Sequence, residues 1–273
     1  MRRLPRSGRI GAAIVFTVMV LALLSLFWTP YDPTQVAPAS RLEGPSLSHL
    51  LGTDRYGRDV FSQIMVGSRI TLFVGLIAVT IAGVLGIPLG VLAGMRGGAV
   101  ETFVMRGADL MLAFPALLLA IISGAVFGAS TTSAMLAIGV AGIPGFARVA
   151  RAGTLQVVSR DFVAASRSSR VPEPVIAIRH VLPNISGMLI VQASVAFALA
   201  ILAEAALSFL GLGTPPPEPS WGRMLQSAQA SLGVHPMLAV WPGLAIAVTV
   251  LGFNLLGDGI RDANDPRVEM EHA

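Results

Sequence analysis

A chain of 273 residues with 54% hydrophobic and 12% charged residues, at a mean hydropathy of +0.74, has too much apolar surface for a water-soluble globule, where about 25% of residues are charged. The formal charge of +4 rests on arginine alone, and the arginines stand in short polar intervals beside apolar runs, which reads as membrane orientation rather than nucleic-acid binding. With no cysteine, neither a disulfide framework nor a thiolate metal site is possible.

Residues 1–9 form a basic tail with Arg2, Arg3, Arg6 and Arg9. The apolar run from Ile10 to Trp28 has the length a bilayer core demands and predicts a first span over 10–28. A cleaved signal peptide shares these features. The run is nonetheless longer than the usual ~7–15-residue apolar core, and FWTPYDP has no A-x-A-like cleavage site, so a retained anchor is expected. Trp28 and Tyr31 would lie at the outer interface, where amphipathic rings settle.

Residues 29–69 read as an extracytoplasmic loop. Within it Gly52, Asp54, Gly57, Arg58 and Asp59 suggest a tight charged turn, followed by an amphipathic stretch from Val60 to Ile70. Taken alone, this is a solvated loop ordered by local ion pairs.

A five-span core is expected over 70–256. Span two covers Ile70 to Ala93, with Gly86, Gly90 and Gly94 on one bare face that a neighbouring helix can approach closely. Span three runs from Arg106 to Phe127 with Pro115 inside it. Span four runs from Ala134 to Ala150, broken by Gly142, Pro144 and Gly145. Span five covers Gly187 to Phe209, span six Pro236 to Leu256, and 257–273 is a charged tail. Pro88, Pro115 and Pro144 read as kinks. With the N-terminus inside, fourteen of the nineteen arginines fall on the cytoplasmic side, which satisfies the positive-inside rule and places both termini in the cytoplasm.

That orientation also puts 159–184 in the cytoplasm. Ser159 can cap a helix, Asp161 suits the positive end of its dipole, and Pro172 stops it after about three turns. Phe162, Ala165 and Ser166 make a small-residue face with one aromatic knob, while Arg167 and Arg170 offer charge. Such a helix can seat in a groove of a partner or lie on lipid headgroups; spacing alone leaves both open.

Residues 159–184 resemble the EAA loop of ABC-importer permeases, with Ala164, Ala165 and Ser166 at its E-A-A, Arg170 at its Gly, and His180, Val181, Leu182 and Pro183 at its I-x-L-P. GTDRYGRDVFSQIMVGSRITL (52–72), LSFLGLGTPPPEPSWGRML (207–225) and NLLGDGIRDANDPR (254–267) extend the resemblance to nearly the whole chain. Together they are similar to the second permease subunit of dipeptide, oligopeptide and nickel importers. The resemblance implies an all-helical fold of six spans, of the type I ABC-importer kind, with span one clasping the side of the other five.

It also implies a homologous second permease subunit, one or two ATPase subunits holding ATP and Mg, and an extracytoplasmic solute-binding protein, all at a bacterial cytoplasmic membrane. No cofactor or metal is expected in this chain, and it is expected not to be an enzyme; it has no G-x-x-x-x-G-K-[ST] loop. Contact with the ATPase is implied for Asp161, Phe162, Val163, Ala164, Ala165, Ser166, Arg167 and Arg170. Ala164 cannot make the ion pair of the family's Glu, and Asp161, on the same helix face, is the candidate to replace it. Arg170 in place of Gly argues against a left-handed helix end there.

Ionisable and polar residues in spans are costly and often functional. Glu204 is a candidate pore or gate residue, with a packing hydrogen bond as the alternative; Gln192 and Ser194 could line a path or join helices. Asp109 would pair with Arg106 at the inner interface, and Asp258, Arg261 and Asp262 would form an inner-surface network beside Asn254. The loops 31–69 and 211–235 would meet the binding protein, with Trp221 and Arg223 as candidate contacts. An intramembrane hydrolase is disfavoured because His49, His180, His235 and His272 all fall in loops or tails. Peptide cargo is expected, with nickel or another chelated metal as the alternative and a structural membrane subunit as the other class.

Overall fold

The computed structural model describes residues 5–264, so Arg2, Arg3, Arg267 and His272 lie outside the described residues. The described chain is helical, and a single bridge between Thr53 and Asp59 is the only β-pairing in it. The helices are α1 (Arg6–Phe27), α2 (Val60–Arg96), α3 (Gly98–Ala113), α4 (Ala116–Phe127), α5 (Thr131–Val158), α6 (Asp161–Ser168), α7 (Glu173–Ile176), α8 (Leu182–Phe209), α9 (Trp221–Ala228) and α10 (Met237–Asn264). Five stretches are long and apolar enough to cross a membrane, and α3 with α4 makes a sixth if that bent pair is one span.

The glycine pattern of span two does what its spacing predicts. A Cβ on Gly86 would lie 2.6 Å from the Ile143 carbonyl oxygen, and one on Gly90 2.2 Å from that of Ala147; at Gly94 it would meet Thr154 at 2.7 Å. One bare stripe therefore lets α2 lie directly on α5. Gly142 answers from α5, where a Cβ would meet that of Ala82 at 2.9 Å. This is why the Gly142–Pro144–Gly145 segment does not break α5, contrary to the expectation: its small residues serve close packing, and the helix continues from Thr131 to Val158. Pro88 likewise sits inside an unbroken α2.

Pro115 does break its span. Proline pushes the preceding residue out of the helical region, and Phe114 is extended at ψ 130°, so α3 and α4 meet at 79°. The lead-in at Val60–Ile70 is the first part of α2 itself, which begins ten residues before the expected span. Helix α1 lies along α10, with a Gly11 Cβ position only 2.4 Å from the Leu256 backbone nitrogen and that of Gly259 2.3 Å from Gly8. Residues 257–264, expected as tail, continue α10.

Span five is longer than expected. Helix α7, a π-turn over Ala177–Val181 and α8 form one helix from Glu173 to Phe209, so RHVLPN is helical rather than loop. Pro183 cannot donate to the carbonyl of Arg179, and its ring crowds that position. The wider turn just before it absorbs the clash, with the Leu182 N–H reaching back to the Ala177 carbonyl.

Candidate functional site

The two ends of the bundle carry different constructions. At one end, Ser159 and Arg160 form a two-residue link from α5 to α6. Ser159 closes α5, its hydroxyl donating to the Gln156 carbonyl, and Arg160 is the N-cap residue of α6 without a side-chain cap; the expected Ser159 cap is absent because the link turns one residue later. Val163 is the one buried residue of α6, fully inside a cluster with Val157, Ile176, Val181 and Ile185. Burying one such side chain stabilises by about 2 kcal/mol. Val163 is therefore the peg that fixes α6 to α5 and the long helix, not a surface for a partner.

Asp161, Ala164, Ala165 and Arg170 are exposed, and Phe162 is 39% exposed. The Phe162 ring tilts against His180 at 5.8 Å. Ser166 donates to the Phe162 carbonyl at 2.8 Å and lies 3.3 Å from His180 Nε2, which ties the helix face to the π-turn. Arg167 is engaged by Glu173, its Nε 2.9 Å from Oε1.

The helix has about two turns rather than three, because its end is set before Pro172. Arg170 donates its N–H to the Arg167 carbonyl and Val171 donates to that of Ser166, the paired bonds of a Schellman closure. Arg170 itself lies at φ 57°. The left-handed end is thus made despite the missing glycine, at a cost of about 1–2 kcal/mol.

Two ion pairs brace the same end. Arg151 of α5 donates through Nε to Glu101 of α3 at 2.6 Å, and Arg148 pairs with Asp109. Asp109 therefore pairs across helices rather than with Arg106, three residues before it on its own helix. Among the described residues, no ion pair joins Asp258, Arg261 and Asp262: all three are exposed on the last turns of α10.

The opposite end is a cap. Asp54, 8% exposed, accepts from the Tyr56 and Arg58 N–H groups at 2.8 and 3.0 Å, from Arg58 Nε at 2.8 Å and from Gln63 Nε2 at 3.3 Å. Asp59 caps α2, accepting from the Ser62 N–H and hydroxyl at 2.8 and 2.7 Å, and its other oxygen meets His49 Nδ1 at 2.9 Å. Gly52 and Gly57 both lie at φ 78°, and a Cβ at Gly57 would run into the Ala37 carbonyl. The expected solvated turn is thus a buried polar knot. Asp54 and Asp59 are where isolated sequence reading underrated the signal, and the short spacing of Asp, Gly and Arg ahead of a helix start was its only trace.

Trp221 is 2% exposed and donates through Nε1 to the Ile64 carbonyl at 3.0 Å, so it is a bolt between α9 and α2 and not a surface contact. Arg223, half-buried, reaches the Thr214 carbonyl at 3.4 Å. Burial, and then the like charge of Arg58, hold its guanidinium below the ordinary arginine value. Glu204 is 1% exposed; its Oε1 accepts from the Ser208 hydroxyl at 2.7 Å, which in turn accepts from the Thr214 N–H at 3.1 Å. This chain pins the loop after α8. Ser194 packs on Gly257 of α10, while Gln192 lies beside Gly145 of α5. Glu204, Gln192 and Ser194 thus make three separate contacts within the bundle.

Fold and site define a polytopic helical membrane protein with a short docked helix at one end and a polar cap at the other. The chain belongs to the binding-protein-dependent transport system inner membrane component family, whose model matches residues 86–270. It is 39% identical over 95% of its length, and 86% of the relative, to the dipeptide transport system permease protein DppC of Alkalihalophilus pseudofirmus. To the glutathione transport system permease protein GsiD of Pectobacterium atrosepticum it is 40% identical over 98% of the chain and 90% of the relative. The fold is similar to that of the inward-facing MetNI methionine ABC transporter, with a TM-score of 0.61 at 17% identity, covering 74% of this chain and 97% of the other.

Proposed function

We propose that this chain is one of two homologous permease subunits of an ATP-driven importer of short peptides, seated in a bacterial cytoplasmic membrane with both termini in the cytoplasm. The observation that carries the reading is α6: an exposed helix pegged by one buried valine onto the ends of two long apolar helices. An ATPase bound to such a helix pulls directly on α5 and α8, so nucleotide-driven closure below becomes helix motion in the membrane. Asp161, Phe162, Ala164, Ala165, Ser166, Arg167 and Arg170 supply the contact face, and Val163 passes the force inward. ATP and Mg belong to the ATPase subunits.

Orientation follows from charge. Arg6, Arg9, Arg96, Arg160, Arg167, Arg170 and Arg179 all belong to the α6 end, which the positive-inside rule assigns to the cytoplasm. The cap then faces outward toward a solute-binding protein. Peptide cargo is favoured over nickel or another chelated metal because the relatives above are named for dipeptide and glutathione transport.

The test is purification of the tagged chain from its own host in mild detergent, with mass spectrometry of every co-purifying protein and small molecule. A second permease, an ATPase, a solute-binding protein and a bound peptide are expected. Recovery of the chain without any ATPase, under crosslinking, from membranes active in uptake would overturn the reading. Transport that survives deletion of the chain would return it to a structural subunit.

A further inference from the structure

The cap contains a polar cavity of about 290 Å³ between the 34–58 segment and the 216–227 segment. Three arginines, Arg55, Arg58 and Arg223, line it together with Tyr56, and Glu218 is the one acidic residue in its wall. The guanidinium carbons of Arg55 and Arg58 stand 4.7 and 4.9 Å from the centre of the Tyr56 ring. Arg58 is already neutralised by Asp54 at 2.7 Å. Among the described residues, neither Arg55 nor Arg223 has a carboxylate within ion-pair distance, and Glu218 pairs with none of the three.

Arg55 Nε is buried with no hydrogen-bond partner, an arrangement that costs free energy until an acceptor arrives. We infer that this cavity is a socket for a carboxylate, and that its occupant is an acidic side chain of the docking binding protein, an inference that rests on the transport reading above. Planar guanidinium groups are matched to a carboxylate in both charge and geometry. An incoming carboxylate would also offset the burial and like charge that hold Arg223 below its ordinary value.

The floor distinguishes a docking socket from a port of entry. Gln63 and Met224, 3% and 8% exposed, close the bottom of the cavity, and Met224 belongs to the packed core beside Trp221 and Val60. Behind these residues there is only a space of about 20 Å³, too small to pass a cargo peptide into the bundle. The occupant therefore arrives from outside and leaves the same way.

The experiment uses the complete transporter in nanodiscs, titrated with its own binding protein at low and physiological salt. Arg55→Glu is expected to weaken binding by about tenfold or more, with a flatter salt dependence, and Arg223→Gln to weaken it less. Arg55 donates no hydrogen bond to a described residue and loses only its contact with the Tyr56 ring, so the melting temperature of Arg55→Glu should stay within a few degrees of the wild type. An Asp or Glu→Arg change at the binding-protein position that crosslinks to Arg55→Cys should restore affinity to Arg55→Glu.

Unchanged affinity in Arg55→Glu and in the Arg55→Glu, Arg223→Gln double variant, with wild-type binding intact, would overturn the socket while leaving the transport reading standing. Unchanged affinity with lost discrimination between free-acid and C-amidated peptides would overturn it too, by assigning the carboxylate to cargo. A wild-type transporter that recruits no binding protein would overturn the transport reading, and the socket with it.

Discussion

The cap and the α6 end solve opposite problems. In the cap, Asp54 and Asp59 spend nearly all their acceptor capacity on neighbours within ten residues, Trp221 bolts α9 to α2, and the left-handed positions Gly52 and Gly57 are glycines, with Leu42 the exception. At the α6 end a two-turn helix is held by one buried valine, the Ser166 and Phe162 contacts with His180, one exposed ion pair and a closure that puts an arginine where glycine fits best. The cap ties most of its polar groups within itself, Arg55 Nε apart, whereas most of the α6 surface is exposed. Under the proposed function, the cap is the surface that receives the binding protein and α6 the element that the ATPase drives.

The largest break of this contrast should come from the cap. Asp54→Ala leaves two backbone N–H groups and the Arg58 guanidinium without their acceptor, and should cost about 3–5 kcal/mol. Thermal unfolding in detergent should show the loss directly, ahead of any effect on ATPase binding. Asp59→Ala, which removes the α2 cap and the His49 contact, should cost about 1–2 kcal/mol by the same measurement.

On the other side, Val163→Ala, which removes at most about 2 kcal/mol of burial, should lower the melting temperature by only a few degrees but uncouple the complex, so that ATP is hydrolysed without uptake. A large stability loss with coupling intact would show that α6 is structural. Arg170→Gly goes the other way: relieving the left-handed residue should stabilise the isolated chain by up to about 1 kcal/mol, after allowance for the added freedom of glycine in the unfolded state. The smallest effect concerns Asp32 on the exposed approach to the cap. Hydrogen bonds from Thr34 hold its carboxyl below the ordinary value of 3.8. Its contribution is therefore fully present above pH 3.8 and lost as pH falls through the lower folded value, and Asp32→Asn should abolish that acid dependence in a pH series of melts.

The fold was legible in the sequence wherever one residue type serves one purpose. The glycine ladder of α2 served close approach as its spacing implies, whereas of the three prolines expected to kink their spans only Pro115 breaks its helix, Pro88 and Pro144 lying within continuous ones. Boundaries were less legible, because Val60–Ile70 and RHVLPN mix polar with apolar residues and so lack the unbroken apolar run of a span, yet are helical; their helicity comes from the Asp59 cap and from the π-turn ahead of Pro183. The site divides in the same way. The position of α6 could be read from composition, but Val163 as peg and Trp221 as bolt could not, since an apolar residue in a short polar stretch does not say which way it points. Arg170 misled for a physical reason: steric cost predicts which residue is preferred at a left-handed position, not which residue is present.

The unbroken helix from Glu173 to Phe209 has 37 residues, hence about 55 Å of length, against about 30 Å of hydrocarbon core. It is clasped near Ile185, where a Cβ on Gly153 would come within 2.8 Å of the Ile185 side chain. Measured from that fulcrum, the arm reaching Ile176 beneath α6 is about 13 Å and the arm reaching Phe209 beneath the cap about 36 Å. The long arm ends inside the cap, where Glu204, Ser208 and Thr214 are joined and Gly222 lies directly on Ala205, so travel imposed at the short arm under the proposed coupling has to carry the cap with it.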